Sequence, residues 1–269
     1  MTGMLHACAR LLSALAVAAF ATALHAKSVL IEELTSPEVE ALVRDGHTTV
    51  LVPIGGTEQN GPHMVLGKHN VRVKALCERI AQALGNALVA PVVAYVPEGS
   101  VAPPSSHMRF AGTISITPQT FERLLEDAAQ SLRATGFRDI VFVGDHGGYQ
   151  RSEQAVAARL DRAWAKTPVR AHALHEYYAA VESEYAAALA ARGYTKAEIG
   201  THAGLADTSL SLAVDPGLVR RDALASGKNL DAAHGVYGDP RRSSAELGAI
   251  GVDLIVARSV AAIRRDAQR

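Results

Sequence analysis

The chain has little cysteine, few aromatic residues and no excess of charge of either sign, and each shortage narrows what it can be. Its only cysteines are Cys8 and Cys77. Cys8 lies in a leading segment expected to be removed, so Cys77 is left alone and no intrachain disulfide can form. Cys77 sits within an apolar helical pattern, which favours a buried structural thiol over a catalytic one. There are 27 basic and 27 acidic residues and no basic block, so nothing in the charge argues for nucleic acid or an anionic membrane surface. Long hydrophobic runs are missing too. The one apolar run, Leu11 to Ala23, has 13 residues, short of the ~20 that a spanning helix needs. Arg10 precedes it and the small residues Ala21, Ala23 and Ala26 follow, the pattern of a secretory signal peptide. We therefore expect residues 1–26 to be a signal peptide. Residues 27–269 would be an exported protein, periplasmic and free of the membrane once the leader is cut.

The mature length suits one α/β domain with a sizeable core, and there is no internal repeat or linker to divide it. Strand and helix signals alternate. Thr35-Ser36-Pro37 opens a short helix that Gly46 ends, with a cap residue and then a proline in the first turn. His47 to Ile54 reads as a buried strand. Residues 70–84 carry a helical stripe through Val73, Leu76, Cys77 and Ile80, and Leu88 to Ala94 reads as a second strand. Thr117-Pro118 caps a helix closed by Gly136, and Ile140 to Val143 is a strand. A helix to about Ala165, a strand near Val169 to Leu174, an alanine-rich helix over 178–192 and a final helix from about Ser243 to Arg265 complete the pattern. Alternation of this kind predicts a single three-layer α/β/α sandwich around a mainly parallel sheet.

In such a sheet ligands gather at the carboxyl ends of the strands. Two glycine-rich loops fall there. One runs from Gly55 to His63 and contains Glu58, Asn60 and His63; the other is Gly144-Asp145-His146-Gly147-Gly148. Each sets a carboxylate and an imidazole within a few positions, and these are zinc or manganese ligands. The bland alternative is that the glycines only make turns and the histidines lie on the surface. The stretch from Val96 to Thr113, rich in Pro, Ser and Gly, reads as a functional loop. Trp164 is expected in the core, and His172 and His175 at a strand end are expected on the surface.

The segment Val52-Pro53-Ile54-Gly55-Gly56-Thr57-Glu58-Gln59-Asn60-Gly61-Pro62-His63 resembles the signature of the creatininase (creatinine amidohydrolase) family, Pro-x-Gly-Ser-x-Glu-Gln-His-Gly-Pro-His. Four further segments resemble that family in order: Ser106 to Ser115, Gly136-Phe137-Arg138 leading to Asp145-His146-Gly147-Gly148, His202 to Ser209, and Gly235 to Pro240. The resemblance implies hydrolysis of a C–N bond in an amide, often cyclic, by metal-activated water. It also implies a small-molecule amide substrate and a homo-oligomer, commonly a hexamer.

Carried over residue by residue, the family's metal ligands fall on Glu58, Asn60, His69, His146 and, for members with a Gly-Gly loop, Asp207. Asn60 stands where the family has His, and His69 where it has a bridging Asp. The remaining set, Glu58, His69, His146 and Asp207, offers two imidazoles and two carboxylates. That suits one zinc or manganese ion per chain better than two, although two ions or none remain open. Glu58, His146 and Asp145 are the catalytic candidates, with Asp145 the nearest choice to carry a proton to the leaving nitrogen. Asn60, His63, His107 and His202 are expected to contact substrate or support the ligands. Lys68, beside His69, places a cation near the expected metal and favours the metal-free alternative. On that alternative the chain is a non-catalytic exported protein that binds a small molecule or a partner.

Overall fold

The computed structural model describes residues 28–267; the expected signal peptide lies outside the described residues. Four parallel strands form one sheet in the order β2-β1-β3-β4: β1 (Thr49–Ile54), β2 (Ala87–Val89), β3 (Asp139–Gly144) and β4 (Arg170–Ala173). Helix α1 (Ser36–Arg44) precedes the sheet, and α2 (Lys68–Leu84), α3 (Pro118–Thr135) and α4 (Gln150–Trp164) carry the chain between strands. After β4 come α5 (His175–Ala180), a π-helical stretch (Val181–Tyr185), α6 (Ala186–Ala190), α7 (Leu205–Val214) and the long α8 (Ala245–Asp266).

Side-chain alternation along the strands assigns the two faces. Val50, Val52, Ile54, Ile140 and Phe142 pack against Val39 and Leu42 of α1, Phe121 and Leu125 of α3, and Val156, Leu160 and Trp164 of α4. Leu51, Val141 and Val143 pack against Val73, Leu76 and Ile80 of α2, Leu210 of α7, and Val252 and Ile255 of α8. The result is the expected three-layer α/β/α sandwich. Cys77 and Trp164 are buried in these two cores. His172 is half-buried and bonded to Asp139 at 2.9 Å, not free on the surface. Among the described residues no helix is long and apolar enough to cross a membrane.

The structure differs from the sequence expectations in three elements. The second strand is confined to Ala87–Val89, because the bonds to β1 slip by one residue: Ala90 N reaches Leu51 O at 2.8 Å, but Pro53 O is met by Val93 N, not by residue 92. The alanine-rich helix is interrupted at Val181–Tyr185 by π-helical turns. Helix α7 carries no amphipathic signal. Leu205, Ala206, Thr208, Ser209, Leu210, Ser211 and Leu212 are all buried, so apolar periodicity has no exposed face against which to show.

The order of strands reverses at β1, whose neighbours β2 and β3 are reached over opposite faces. The crevice beyond the ends of β1 and β3 is therefore the topological switch point, where open α/β sheets place ligands.

Candidate functional site

The two glycine loops meet at that crevice. Gly55 must lack a side chain, because a Cβ there would lie 2.2 Å from Asn70 Oδ1 and 2.9 Å from its Cα. This close approach brings the start of α2, with Lys68, His69 and Arg72, against the end of β1. The Tyr149 hydroxyl donates to Ile54 O and Gly55 O at 2.8 and 2.7 Å and accepts from His146 N at 3.1 Å, so it ties the two loops together. A third loop crosses over them. Ile114 N donates to Thr57 O at 2.9 Å and Gln59 N to Thr113 Oγ1 at 3.1 Å. Ser115 Oγ accepts from Glu98 N at 3.0 Å and donates to Gly99 O at 2.7 Å. This clamp turns the Glu98 carboxyl inward, where the residue is 2% exposed.

Glu58, fully buried, divides the site in two. Its Oε2 faces His107 Nε2 at 3.1 Å and His146 Nε2 at 3.4 Å, and His146 Nε2 lies 3.8 Å from Glu98 Oε2. Glu58, Glu98, His107 and His146 each offer a donor atom, and these atoms lie within 4.8 Å of one another. Glu58 Oε2 and both Glu98 oxygens are buried without a hydrogen bond. The other oxygen, Glu58 Oε1, faces His69 Nε2 at 2.8 Å, His202 Nδ1 at 3.7 Å and Lys68 Nζ at 3.9 Å.

The second half is a closed network of ion pairs. His69 Nδ1 meets Asp145 Oδ2 at 2.5 Å. Arg72 Nε donates to both Asp145 oxygens at 3.1 and 2.9 Å, and Arg72 Nη1 donates to Asp207 Oδ1 at 2.7 Å. Tyr177 OH donates to Asp145 Oδ1 at 2.7 Å. Asp207 Oδ2 accepts from Lys68 Nζ, and from Ala203 N at 2.9 Å.

The fold divides the donors expected from the sequence between the two halves of the site. Asp207 is taken by two cations, and His69 is held between two carboxylates. Glu98 and His107 stand with Glu58 and His146 instead. Asp145, expected to carry a proton, has both oxygens bonded to His69, Arg72 and Tyr177; it positions those groups. Asn60 holds the loop, its Nδ2 donating to Glu58 O at 2.9 Å and Val65 O at 3.1 Å. His63 Nε2 bonds Thr208 Oγ1 at 3.0 Å and so anchors the first loop to α7. His202 Nε2 bonds Gln59 O at 3.0 Å. Glu98, Arg72 and Tyr177 were not singled out by the sequence reading. The signal for Arg72 was there: a charge one position before Val73, inside an apolar helical stripe.

Burial and neighbours set the protonation states. Burial would raise Glu58, but the bond and charge of His69, with His146 and Lys68, hold it well below the ordinary carboxylate value. Burial likewise opposes ionised Asp207, and Lys68 and Arg72 overcome it. Glu98 has no cation in contact; burial and the adjacent Glu58 charge push it up to about 9. Burial lowers His146 to about 3 and His202 to about 4, and lowers His107 as well, so these imidazoles are neutral at pH 7. Beside the site lies a cleft of about 690 Å³. Its lining includes Lys68, His107, His146 and His202 together with Tyr178, Glu182 and Lys196.

The family model for creatinine amidohydrolase (creatininase) matches residues 32–263. The chain belongs to the creatininase family. It is 30% identical to a creatinine amidohydrolase of Pseudomonas putida, over 73% of this chain and 75% of that one. It is 28% identical to a mycofactocin precursor peptide peptidase of Mycolicibacterium smegmatis, over 74% of this chain and 77% of that one. Among solved structures, a creatininase named with Mn superposes with a TM-score of 0.73 at 27% identity, covering 90% of this chain and all of its own. A variant creatininase of Zn-Zn type gives a TM-score of 0.71 at 27% identity, covering 90% of this chain and 100% of that one.

Proposed function

We propose that this creatininase-family protein hydrolyses a C–N bond in a small amide, using one divalent ion held by Glu58, Glu98, His107 and His146. The observation that carries the reading is the convergence of these four side chains, with three buried carboxylate oxygens left without a hydrogen bond. Two acids pressed together in this way keep a proton between them, and a divalent ion that replaces it satisfies all three oxygens. Two imidazoles and two carboxylates are the donor types of zinc and manganese. The imidazoles are neutral at pH 7, as ligation requires. Both imidazoles need the same adjustment. Gln59 Nε2 donates to His107 Nδ1 at 3.2 Å, which leaves that ring's proton on Nε2. His146 Nδ1 accepts from Gly148 N at 3.1 Å, which leaves the proton on Nε2, so ligation through Nε2 requires the other tautomer.

When bound, the ion supplies a polarised carbonyl and a water of lowered pKa. The chain's own residues supply the rest. His107 and His146 present the centre to the cleft, while Glu58 and Glu98 lie behind them, shielded from solvent. Gln59 Nε2, 3.2 Å from His107 Nδ1, fixes the ring. The cleft has the volume of a small-molecule site, and its Glu182 and Lys196 can bind polar substituents of an amide.

The competing reading is the exported, non-catalytic binding protein, favoured by the two cations already seated among the acids. Elemental analysis of protein purified without chelator separates them. We expect close to one zinc or manganese per chain, lowered strongly by Glu98→Gln and by His107→Ala, and hydrolysis of amides that depends on the ion. A protein that takes up no divalent ion on reconstitution refutes the hydrolase reading.

A further inference from the structure

We propose that the Lys68 ammonium is a built-in second cation of this centre, seated so that the site takes one divalent ion and excludes another. The inference rests on the one-ion reading above and adds to it. Lys68 is 1% exposed and is the first residue of α2, where the helix dipole disfavours a cation. Something must hold it there. Its Nζ bonds Asp207 and lies 3.9 Å from Glu58 Oε1.

The carboxylate donors around Lys68 are spent, and what remains beside them is the neutral Asn60 Oδ1, buried without a hydrogen bond. Both Asp207 oxygens are bonded to Lys68, Arg72 and Ala203 N, and those of Asp145 to His69, Arg72 and Tyr177. The Asn60 amide nitrogen is given to backbone carbonyls. The unpaired carboxylate oxygens of the centre all lie on the other side of Glu58. Charge gives the same result. With His69 counted as neutral, Glu58, Asp145 and Asp207 against Lys68 and Arg72 leave one negative charge, Glu98 ionised as a ligand makes it two, and one divalent ion closes the balance. The His69 nitrogens face Asp145 Oδ2 at 2.5 Å and Glu58 Oε1 at 2.8 Å; a proton on each would put even one ion in excess by one charge. A second would leave two buried positive charges uncompensated, even with His69 counted as neutral, and isolated buried charge is strongly disfavoured. Lys68 also lines the cleft with His107 and His146, so its charge faces an acyl or anionic oxygen of a bound ligand.

The test is metal stoichiometry and position. The wild type and the double variant Lys68→Ala/His69→Asp, checked for folding by circular dichroism, are dialysed against excess zinc or manganese and assayed by elemental analysis. Anomalous diffraction then places each ion. The double variant should hold one ion more than the wild type, beside Asp207. No gain, or a wild-type ion bound at Asp207, overturns the proposal. Absence of an ion from Glu58, Glu98, His107 and His146 instead refutes the hydrolase reading, and the gain of the double variant over His69→Asp alone still decides Lys68; an equal count in those two overturns the proposal. Should the double variant not fold, Lys68→Met keeps the stem without the charge. It should bind its ion about tenfold tighter or more, because a cation near Glu58 has gone; unchanged affinity overturns the proposal.

Discussion

Glu153 lies beneath the end of β3 and tests the account of buried acids without disturbing the proposed ligands. It is 1% exposed, and its Oε1 has no hydrogen bond. A Cβ on Gly144 would lie 2.1 Å from that oxygen, so the glycine before Asp145 is what lets the acid fit. Burial alone pushes its pKa well above the ordinary 4.5. The native carboxyl therefore keeps its proton after the unfolded chain has lost its own. Its stabilising contribution is complete below the unfolded pKa and declines as pH rises towards the native one. Within that window the slope is about 1.4 kcal/mol per pH unit. Glu153→Gln substitutes a neutral side chain of the same shape and removes the slope. Other acids contribute equally to both proteins and cancel. Urea unfolding at pH 5.5 and at pH 7.5 should therefore show the variant gaining on the wild type between the two conditions, by at most about 2.7 kcal/mol. Parallel pH profiles would refute the reasoning and mean that Glu153 is ionised and paired in the native state.

Three further outcomes are expected, two from the structure and one from the leading segment of the sequence. Arg72→Met strips Asp145 and Asp207 of a shared cation and should cost about 3–5 kcal/mol in chemical denaturation; a loss below about 1 kcal/mol would mean that water replaces the guanidinium. Gly248→Ala places a Cβ 1.9 Å from Ser209 O where α8 crosses α7, and the forced separation should lower stability by roughly 1–3 kcal/mol, read as a drop in the urea midpoint. N-terminal sequencing of the periplasmic fraction should find a mature chain starting near Lys27, whereas an intact Met1 in the cytosol would contradict export.

Much of the architecture was written locally. The Thr35 capping box, the prolines at the starts of α1 and α3, and Gly136 in the left-handed conformation after α3 each act within a turn or two of chain. The stripes of α2 and α3 and the apolar strands β1 and β3 reflect burial that recurs at a fixed period. The three-layer sandwich and the two glycine loops at the strand ends were legible for that reason. So was the family, since its motifs recur in order along the chain. Helix α7 was not, because burial on every side erases the period by which a helix is recognised.

The site divides along the same line. Sequence alone placed Glu58 and His146 in glycine loops at the carboxyl ends of two strands, and the tertiary structure makes those strands neighbours. Only the tertiary structure decided what joins them. Lys68 and His69 are adjacent in the chain, yet one reaches Asp207 on α7 and the other Asp145 beyond β3. Glu98 enters through a loop pinned by Ser115 and by Thr57, and no local pattern marks it. Whether a buried acid faces a cation or another acid depends on packing between distant segments. That choice separates the ionised Asp207 from Glu98, which holds its proton up to about 9.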